Sequence, residues 1–462
     1  MNKITDFSRT IIALATALGS GSIAVIRMSG PKAIDIADTV FRGKELRSVP
    51  ANTVHFGRIV DADREFDHVL VSVFHAPNSY TGENYIEISC HANPYIVDDI
   101  MAVLMDHGAQ AAMAGEFTLR AFLNGKMDLS QAEAVAGIIK AKSRFGIKNS
   151  LNQLNGKLTA ESLNIRKELI DIIGLLEIDL DFSEENIEIA TKSDLVSKLI
   201  KIEKRLTELK SSYNYAKLLE GGILLTIIGE PNVGKSTLLN QLLGENRAIT
   251  SHIPGTTRDT IHENLVINDI LFKLIDTAGL RKAKDELETE GIKRAKSQVS
   301  MADMVLLVVD SSEKISDTSW KLIKETFEEI RAQIVIVANK KDLGINLLTY
   351  KKLLSLDEST VKISAKTGSG LKELEAEIMK KLSHGYDKFS DDLIITSKRQ
   401  IEVMKKTRGY IHSARLLLEK EVGFEFVTID IRQALNVLGE ITGETATDDI
   451  LNNIFANFCI GK

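Results

Sequence analysis

The run Gly229-Glu230-Pro231-Asn232-Val233-Gly234-Lys235-Ser236, continued by Thr237-Leu238-Leu239-Asn240, has the residue types and spacing to hold phosphate. Its glycines let the backbone curl so that successive N–H groups aim at phosphate oxygens. Lys235 then reaches the β- and γ-phosphates, and the Ser236 hydroxyl suits magnesium. Such a match arises by chance in on the order of one chain in a hundred of this length, so the reading needs further motifs. Three follow. Asp276-Thr277-Ala278-Gly279 closes an apolar stretch, where Asp276 can hold a magnesium-bound water and Gly279 can approach a γ-phosphate. Asn339-Lys340-Lys341-Asp342 offers a carboxylate to the N1 and exocyclic amino donors of guanine, and adenine would leave that carboxylate buried and unpaired. Ser364-Ala365-Lys366 supplies a loop to close over the base. In this order the four motifs predict a site for GTP and magnesium.

Between the first two motifs lies Ser251-His252-Ile253-Pro254-Gly255-Thr256-Thr257, where a threonine hydroxyl can complete the magnesium shell only when a γ-phosphate is present. After Gly279 stands Leu280, which cannot orient an attacking water as a glutamine would. Asp285, Glu286, Glu288 and Glu290 lie in the next turns and can do so through a relay, and spacing does not choose among them. No residue reads as an arginine finger. A monovalent cation beside the phosphates would supply the missing charge, with the side-chain oxygen of Asn232 and carbonyls around Ser251 to Pro254 as ligands.

These residues must sit on firm elements. Leu224 to Ile228, Leu271 to Ile275, Val305 to Val309 and Ile334 to Val337 are short apolar runs separated by helix-like segments, the pattern of strands buried on both faces of a mainly parallel sheet. Before them, Ile165, Leu169, Ile172, Ile173, Leu176 and Leu180 recur at helical spacing; after them, Arg408 to Glu421 and Ile429 to Leu438 do likewise, with Gly439 and Gly443 as helix stops. At the front, Thr53 to Val60, Val69 to Phe74 and Tyr85 to Cys90 read as strands separated by turn formers. The expected architecture is multidomain: an α+β domain over residues 1–123, an all-α domain in two parts, 124–215 and 384–462, and an inserted α/β P-loop domain over 216–383.

Composition agrees with such a body. The chain has 462 residues, 44% apolar and 26% charged, enough for several cores. No apolar stretch reaches membrane-spanning length, and there is no signal-peptide pattern. Two cysteines, Cys90 and Cys459, make no disulfide framework and fit a reducing cytoplasm. A net charge of −6 gives no domain-wide electrostatic case for nucleic acid.

These motifs and their flanks resemble the MnmE (TrmE) family of tRNA-modification GTPases over essentially the whole chain. The ending is the most specific part: Gly439-Glu440-Ile441-Thr442-Gly443-Glu444, Asp448-Asp449-Ile450-Leu451 and Phe458-Cys459-Ile460-Gly461-Lys462. Ile26-Arg27-Met28-Ser29-Gly30, Pro77 to Glu83, Gly115-Glu116-Phe117-Thr118 and Asp128 to Glu133 also match. The resemblance implies a potassium-activated, homodimeric GTPase that works with a flavin-dependent partner, MnmG, in a heterotetramer, FAD entering only through that partner. Together they would modify the wobble uridine of certain tRNAs at C5, in a carboxymethylaminomethyl-type reaction. It implies potassium ligands at Asn232, Ser251, Ile253 and Thr256, magnesium ligands at Ser236 and Thr257, and Glu288 as the catalytic, water-orienting acid. It also implies a folate-binding N-terminal domain holding 5-formyltetrahydrofolate or a related one-carbon donor, with contacts at Arg27, Glu87, Lys126 and Lys462, and a possible modification centre at Cys459. Two loops depart from the family: Ala17-Leu18-Gly19-Ser20-Gly21 lacks its usual proline, and His91-Ala92-Asn93 replaces His-Gly-Gly.

Two other functions fit parts of the chain. A ribosome-assembly or RNA-binding GTPase switch would carry an RNA module, yet no Gly-x-x-Gly loop between helix and strand patterns follows residue 384. A folate-dependent transferase with a regulatory nucleotide domain would keep one-carbon transfer after loss of Lys235.

Overall fold

The computed structural model describes residues 8–17, 21–141, 143–181, 191–246, 263–268, 270–274, 302–329, 333–383, 395–420 and 423–461. Two compact units emerge: residues 1–139, 152–203 and 405–462, and residues 140–151 and 204–404.

The first unit opens with a sheet. Its strands are β1 (Ile11–Leu14), β2 (Ile23–Ser29), β3 (Phe41–Arg42), β4 (Thr53–Asp61), β5 (Arg64–Phe74), β6 (Tyr85–His91) and β7 (Gln110–Ala111), ordered β3-β4-β5-β6-β2-β1-β7. All neighbours are antiparallel except β1 and β7. Helices α1 (Ala33–Val40) and α2 (Pro94–Asp106) bury one face over Ile26, Met28, Val71, Ile86 and Ile88. The strands β4 to β6 match the sequence expectation; β1 and β2 escaped it because β1 is four residues long and β2 interleaves Arg27 and Ser29 with its apolar set. The departure His91-Ala92-Asn93 has a local reason. The Asn93 side chain accepts from the Tyr95 N–H and caps α2, with Pro94 in its first turn, a pairing glycine cannot offer.

The helices α3 (Glu116–Leu123), α4 (Leu129–Lys140), α5 (Arg144–Leu154), α6 (Lys157–Asp181) and α7 (Lys192–Gly221) follow. In α6 the expected stripe is buried at Ile165, Leu169, Ile172, Ile173 and Leu176; the Leu180 side chain lies outside the described set. Beneath the Pro77–Glu83 loop, α3 carries a buried ion cluster. Arg120, 3% exposed, donates to both carboxylate oxygens of Glu83 at 3.1 Å, to Glu116 at 2.9 Å and to the Arg9 carbonyl at 3.1 Å.

The second unit holds the other sheet. α7 leads to β8 (Ile223–Ile228), α8 (Lys235–Asn246), β9 (Glu263–Ile267), β10 (Ile270–Leu274), β11 (Met304–Asp310), α9 (Asp317–Glu329), β12 (Gln333–Asn339), α10 (Leu347–Leu356), β13 (Val361–Lys362) and α11 (Leu371–Ser383). The order is β13-β12-β11-β8-β10-β9, parallel throughout except for the β9–β10 hairpin. Met304, Leu306 and Val308 pack under α8 and α11, and Val305, Leu307 and Val309 pack with Ile323 and Leu353, so β11 is buried on both faces as its unbroken apolar run requires. The chain then passes through α12 (Lys398–Glu419), α13 (Phe424–Gly439) and α14 (Asp448–Phe455). Within the first unit α13 packs on α6, tied by Arg432 to Glu177 at 2.6 Å, and Phe455 and Phe458 pack on Leu119, Leu129 and Ala132.

Arg120→Ala should cost about 3–5 kcal/mol, because it strands the Glu83 and Glu116 carboxylates in the interior. Urea unfolding followed by circular dichroism reads this, and a loss under about 1 kcal/mol would show that the cluster is not holding the loop.

Candidate functional site

In open α/β sheets the ligand crevice lies outside the carboxyl ends of the parallel strands. Here that edge gathers three of the four expected motifs. The 229–236 loop leaves β8 and enters α8 at Lys235; Asn339 ends β12; Ser364 and Ala365 follow β13. The loop is tight where two glycines require it. Gly229 has φ 150° and presses on the Val308 carbonyl of β11, and Gly234 has φ 99° and presses on the Asn339 amide, so a Cβ at either position would collide.

Asn339 binds the site together. Only 2% exposed, it donates from Nδ2 to the Val233 carbonyl at 2.7 Å and accepts at Oδ1 from the Ala365 N–H at 2.9 Å. Its own carbonyl accepts from the Ser311 N–H at 2.9 Å and the Ser311 hydroxyl at 2.6 Å. The phosphate loop and the base loop are thereby fixed to one side chain. Asn339 is thus a positioning residue with both amide atoms committed to backbone.

Lys235 donates to the carbonyls of Gly229 at 2.8 Å and Glu230 at 2.7 Å, folding its ammonium over the cradle. Burial pushes its pKa below the ordinary lysine value, against the pull of Glu230. Asn232 is exposed at the loop crest with φ 64°, Val233 is buried beneath it, and Ser236 and Thr237 are exposed in the first turn of α8, the helix end whose dipole favours an anion.

On the base side, Asp342 accepts from the Ser364 hydroxyl at 2.6 Å. That bond, with the nearby ammonium groups of Lys366 and Lys340, holds its carboxyl below the usual aspartate range. The carboxylate is exposed, in a one-turn helix, Lys341–Leu343, that projects past the end of β12. Lys340 has φ 66° and pairs with Asp310 at 2.6 Å. Burial opposes ionisation of Asp310, but hydrogen bonds from Lys340 and Ser312 outweigh it and lower its pKa. Asp310 and Ser311 were missed in the sequence; the only available signal was their position at the carboxyl end of a buried strand. Ser251, His252, Ile253, Pro254, Gly255, Thr256, Thr257, Asp276, Thr277, Ala278, Gly279 and Glu288 lie outside the described residues.

A second site lies in the first unit. Arg27 and Glu87 face each other across β2 and β6, joined by an Nε–Oε1 bond of 2.8 Å, and both line a cavity of about 250 Å³. Phe74, Tyr80, Tyr85 and Val135 complete its wall. Tyr80 hydrogen-bonds Thr118 of α3 at 2.9 Å, and burial raises its phenol pKa. Lys126 is not among the lining residues; its ammonium donates to the Pro77 carbonyl at 3.1 Å, and Lys462 lies outside the described residues. Arg27 also donates to the Gly461 carbonyl at 3.3 Å, and the Gly115 N–H donates to the Cys459 carbonyl at 3.4 Å, so the tail is seated near this pocket with the Cys459 residue exposed.

A phosphate loop on the central strand of a parallel sheet, with an Asn-Lys-x-Asp turn two strands away, defines a P-loop GTPase, here carrying a second α+β and helical unit. Comparison with known proteins is consistent with this. Residues 129–459 match the profile of the MnmE helical domain and residues 10–126 that of the GTP-binding protein TrmE N-terminus. A tRNA modification GTPase MnmE from Christiangramia forsetii is 42% identical over 480 aligned residues, covering 100% of both chains. Those of Flavobacterium johnsoniae and Clostridioides difficile are 42% and 39% identical, each covering 98% of this chain and 99% of the relative. The chain belongs to the MnmE family of tRNA modification GTPases.

Asn339→Ala, which leaves the Val233 carbonyl and the Ala365 N–H without partners, should weaken guanine-nucleotide binding by about 1–3 kcal/mol, roughly five- to 150-fold. Titration with a fluorescent GDP analogue measures this; an unchanged Kd would remove the bridge from the account of the site.

Proposed function

We propose that this chain hydrolyses GTP to drive C5 modification of the wobble uridine in certain tRNAs, acting as a homodimer with a flavin-dependent MnmG-type partner. One observation carries the GTPase part: Asn339 joins the phosphate loop to the base loop, so that Lys235, Ser236 and Asp342 stand ready around one ligand. The tRNA part rests on the full-length family match.

The donor set fits the ions this reading requires. Ser236 offers a hydroxyl at the start of α8, and Asn232 presents an exposed amide that makes no side-chain hydrogen bond among the described residues. Ser236 and Thr257 would hold magnesium; Asn232, Ser251, Ile253 and Thr256 would hold potassium. The two cations supply positive charge to the phosphates, the role an arginine finger has elsewhere. Lys235 would release its loop carbonyls for the phosphate oxygens, Asp276 would hold a water on the magnesium, and Glu288 would orient the attacking water. The remaining expected loop residues, Ser251 to Thr257 and Asp276 to Gly279, would contact the nucleotide.

The Arg27–Glu87 cavity fits a 5-formyltetrahydrofolate-type donor. Its aromatic walls suit a flat bicyclic ring, the Glu87 carboxylate suits amino and N–H donors, and Arg27 suits carboxylate or carbonyl oxygens. Lys126 and Lys462 would meet the ligand's outer end, and Cys459 would stand at the modification centre. The domain division we propose is 1–123 for folate and dimerisation, 124–215 with 384–462 as the helical domain, and 216–383 for GTP, with the protein acting in the cytoplasm.

Steady-state GTP hydrolysis in potassium against sodium at matched ionic strength, with Glu288→Ala alongside, tests the mechanism. The expected result is a potassium-dependent rate that the variant loses by on the order of a hundredfold. Equal rates in both salts, or an unaffected variant, would sink the cation-assisted mechanism and favour the assembly-switch alternative.

A further inference from the structure

A protein of net charge −6 that acts on a polyanion needs a local surface where the field is reversed. Among the described helices α12 carries the largest net positive charge. Its 22 residues carry six Lys or Arg against two Glu. The structure sorts these charges. Arg415 is engaged within the fold, donating to Glu203 at 2.9 Å and paired with Glu419 at 2.5 Å, and His412 sits 3.5 Å from Glu203. Lys405 and Lys406 are different. Both are exposed, and neither has an ion-pair or hydrogen-bond partner among the described residues, although Glu402 lies three and four positions before them.

The second observation is Gly409, on the same exposed stripe at the i+3 and i+4 positions from the two lysines. A glycine inside a helix costs about 1 kcal/mol relative to alanine. The usual compensation is a close neighbour, yet a Cβ built at Gly409 meets nothing within 4 Å. The opposite face of the helix is ordinary core, with Met404, Ile411, Ala414 and Leu418 buried, so the glycine is not needed for packing there either. A helix that gives up stability for bare backbone beside two unpaired ammonium groups suits a partner whose own backbone comes close and is negatively charged.

We propose that the Lys405, Lys406 and Gly409 stripe of α12 is a docking surface for the phosphate backbone of RNA. This rests on the reading of tRNA as substrate. The Cβ atoms of the two lysines lie about 5–6 Å from the open glycine position, and their long side chains reach successive phosphates on one strand. The contact reads no sequence; it fixes where the tRNA lies, while base recognition falls to other parts of the assembly.

The test is equilibrium binding of bulk tRNA to the full chain by fluorescence anisotropy across a salt series. It compares the unaltered protein, Lys405→Gln with Lys406→Gln, Gly409→Leu, and Lys321→Gln on α9 as a surface control. The double variant should bind on the order of tenfold more weakly near 0.1 M salt and lose about 1.5 from the slope of log K against log salt. Gly409→Leu should weaken binding several-fold while leaving the melting temperature unchanged or raised, and all variants should hydrolyse GTP at the unaltered rate. Equal affinity and slope in the double variant, beside an unaltered chain that does bind tRNA, overturns the docking surface alone. No tRNA binding by the unaltered chain overturns it together with the reading it rests on.

Discussion

The nucleotide site depends on one amide. Asn339 is the last residue of β12, so its backbone is fixed by the sheet, and its side chain holds the Val233 carbonyl on one side and the Ala365 N–H on the other. A buried amide satisfied at both atoms is costly to disturb, since either partner would be left unpaired in the interior. The consequence reaches along the crevice. The phosphate loop cannot drift from the base loop, and Gly234 must stay a glycine because the same amide occupies the space its side chain would take. Ser311 completes the arrangement by tying the Asn339 carbonyl back to the end of β11.

The first unit solves a similar problem with charge. The Pro77–Glu83 loop that carries Tyr80 to the cavity has no strand to hold it. Its anchor is Glu83, which accepts from buried Arg120 and from Ser29, while Thr81 meets Ser29 at 2.6 Å and its carbonyl accepts from Asn124. Buried ion pairs add little net stability over apolar packing, but they tolerate few alternative arrangements. Here the cluster fixes Tyr80 from one side and Thr118 fixes it from the other, with Thr118, Glu116 and Arg120 all on α3. The same helix receives the tail through Leu119, against Phe455 and Phe458. One short helix therefore sets both the cavity wall and the seat of the segment carrying Cys459.

Much of this was legible from the sequence. The apolar runs at 224–228, 305–309 and 334–337 fall inside β8, β11 and β12 because strands buried on both faces leave unmistakable runs, and the α6 stripe shows at helical spacing for the same reason. The phosphate and base motifs lie where those strands end. What stayed hidden depends on pairing across the chain. Nothing in the residue order tells that Asp310 neutralises Lys340, that Arg27 and Glu87 stand opposite each other in register, or that Glu83, Glu116 and Arg120 meet in the interior. These are contacts between positions distant in sequence, and local pattern carries no information on them.

The position of Asp342 bears on how base selectivity would arise. Sequence reasoning assigned the rejection of adenine to a buried carboxylate left without donors. Before any base arrives the carboxylate is exposed, held in place by Ser364 and kept ionised by that bond and by neighbouring ammonium groups. An exposed acid pays no desolvation cost until a base covers it. On the proposed reading, the penalty against adenine exists only in the bound state, when the ring would displace water from the loop and offer no donor in return. Fixing the acceptor beforehand serves the correct base in the same way: a carboxylate already oriented by Ser364 loses little freedom when guanine arrives, so its two hydrogen bonds go into affinity rather than into ordering the loop. Selectivity on the proposed reading combines preorganisation with covering, and the side chain that preorganises, Ser364, lies next to the Ala365 N–H that Asn339 holds.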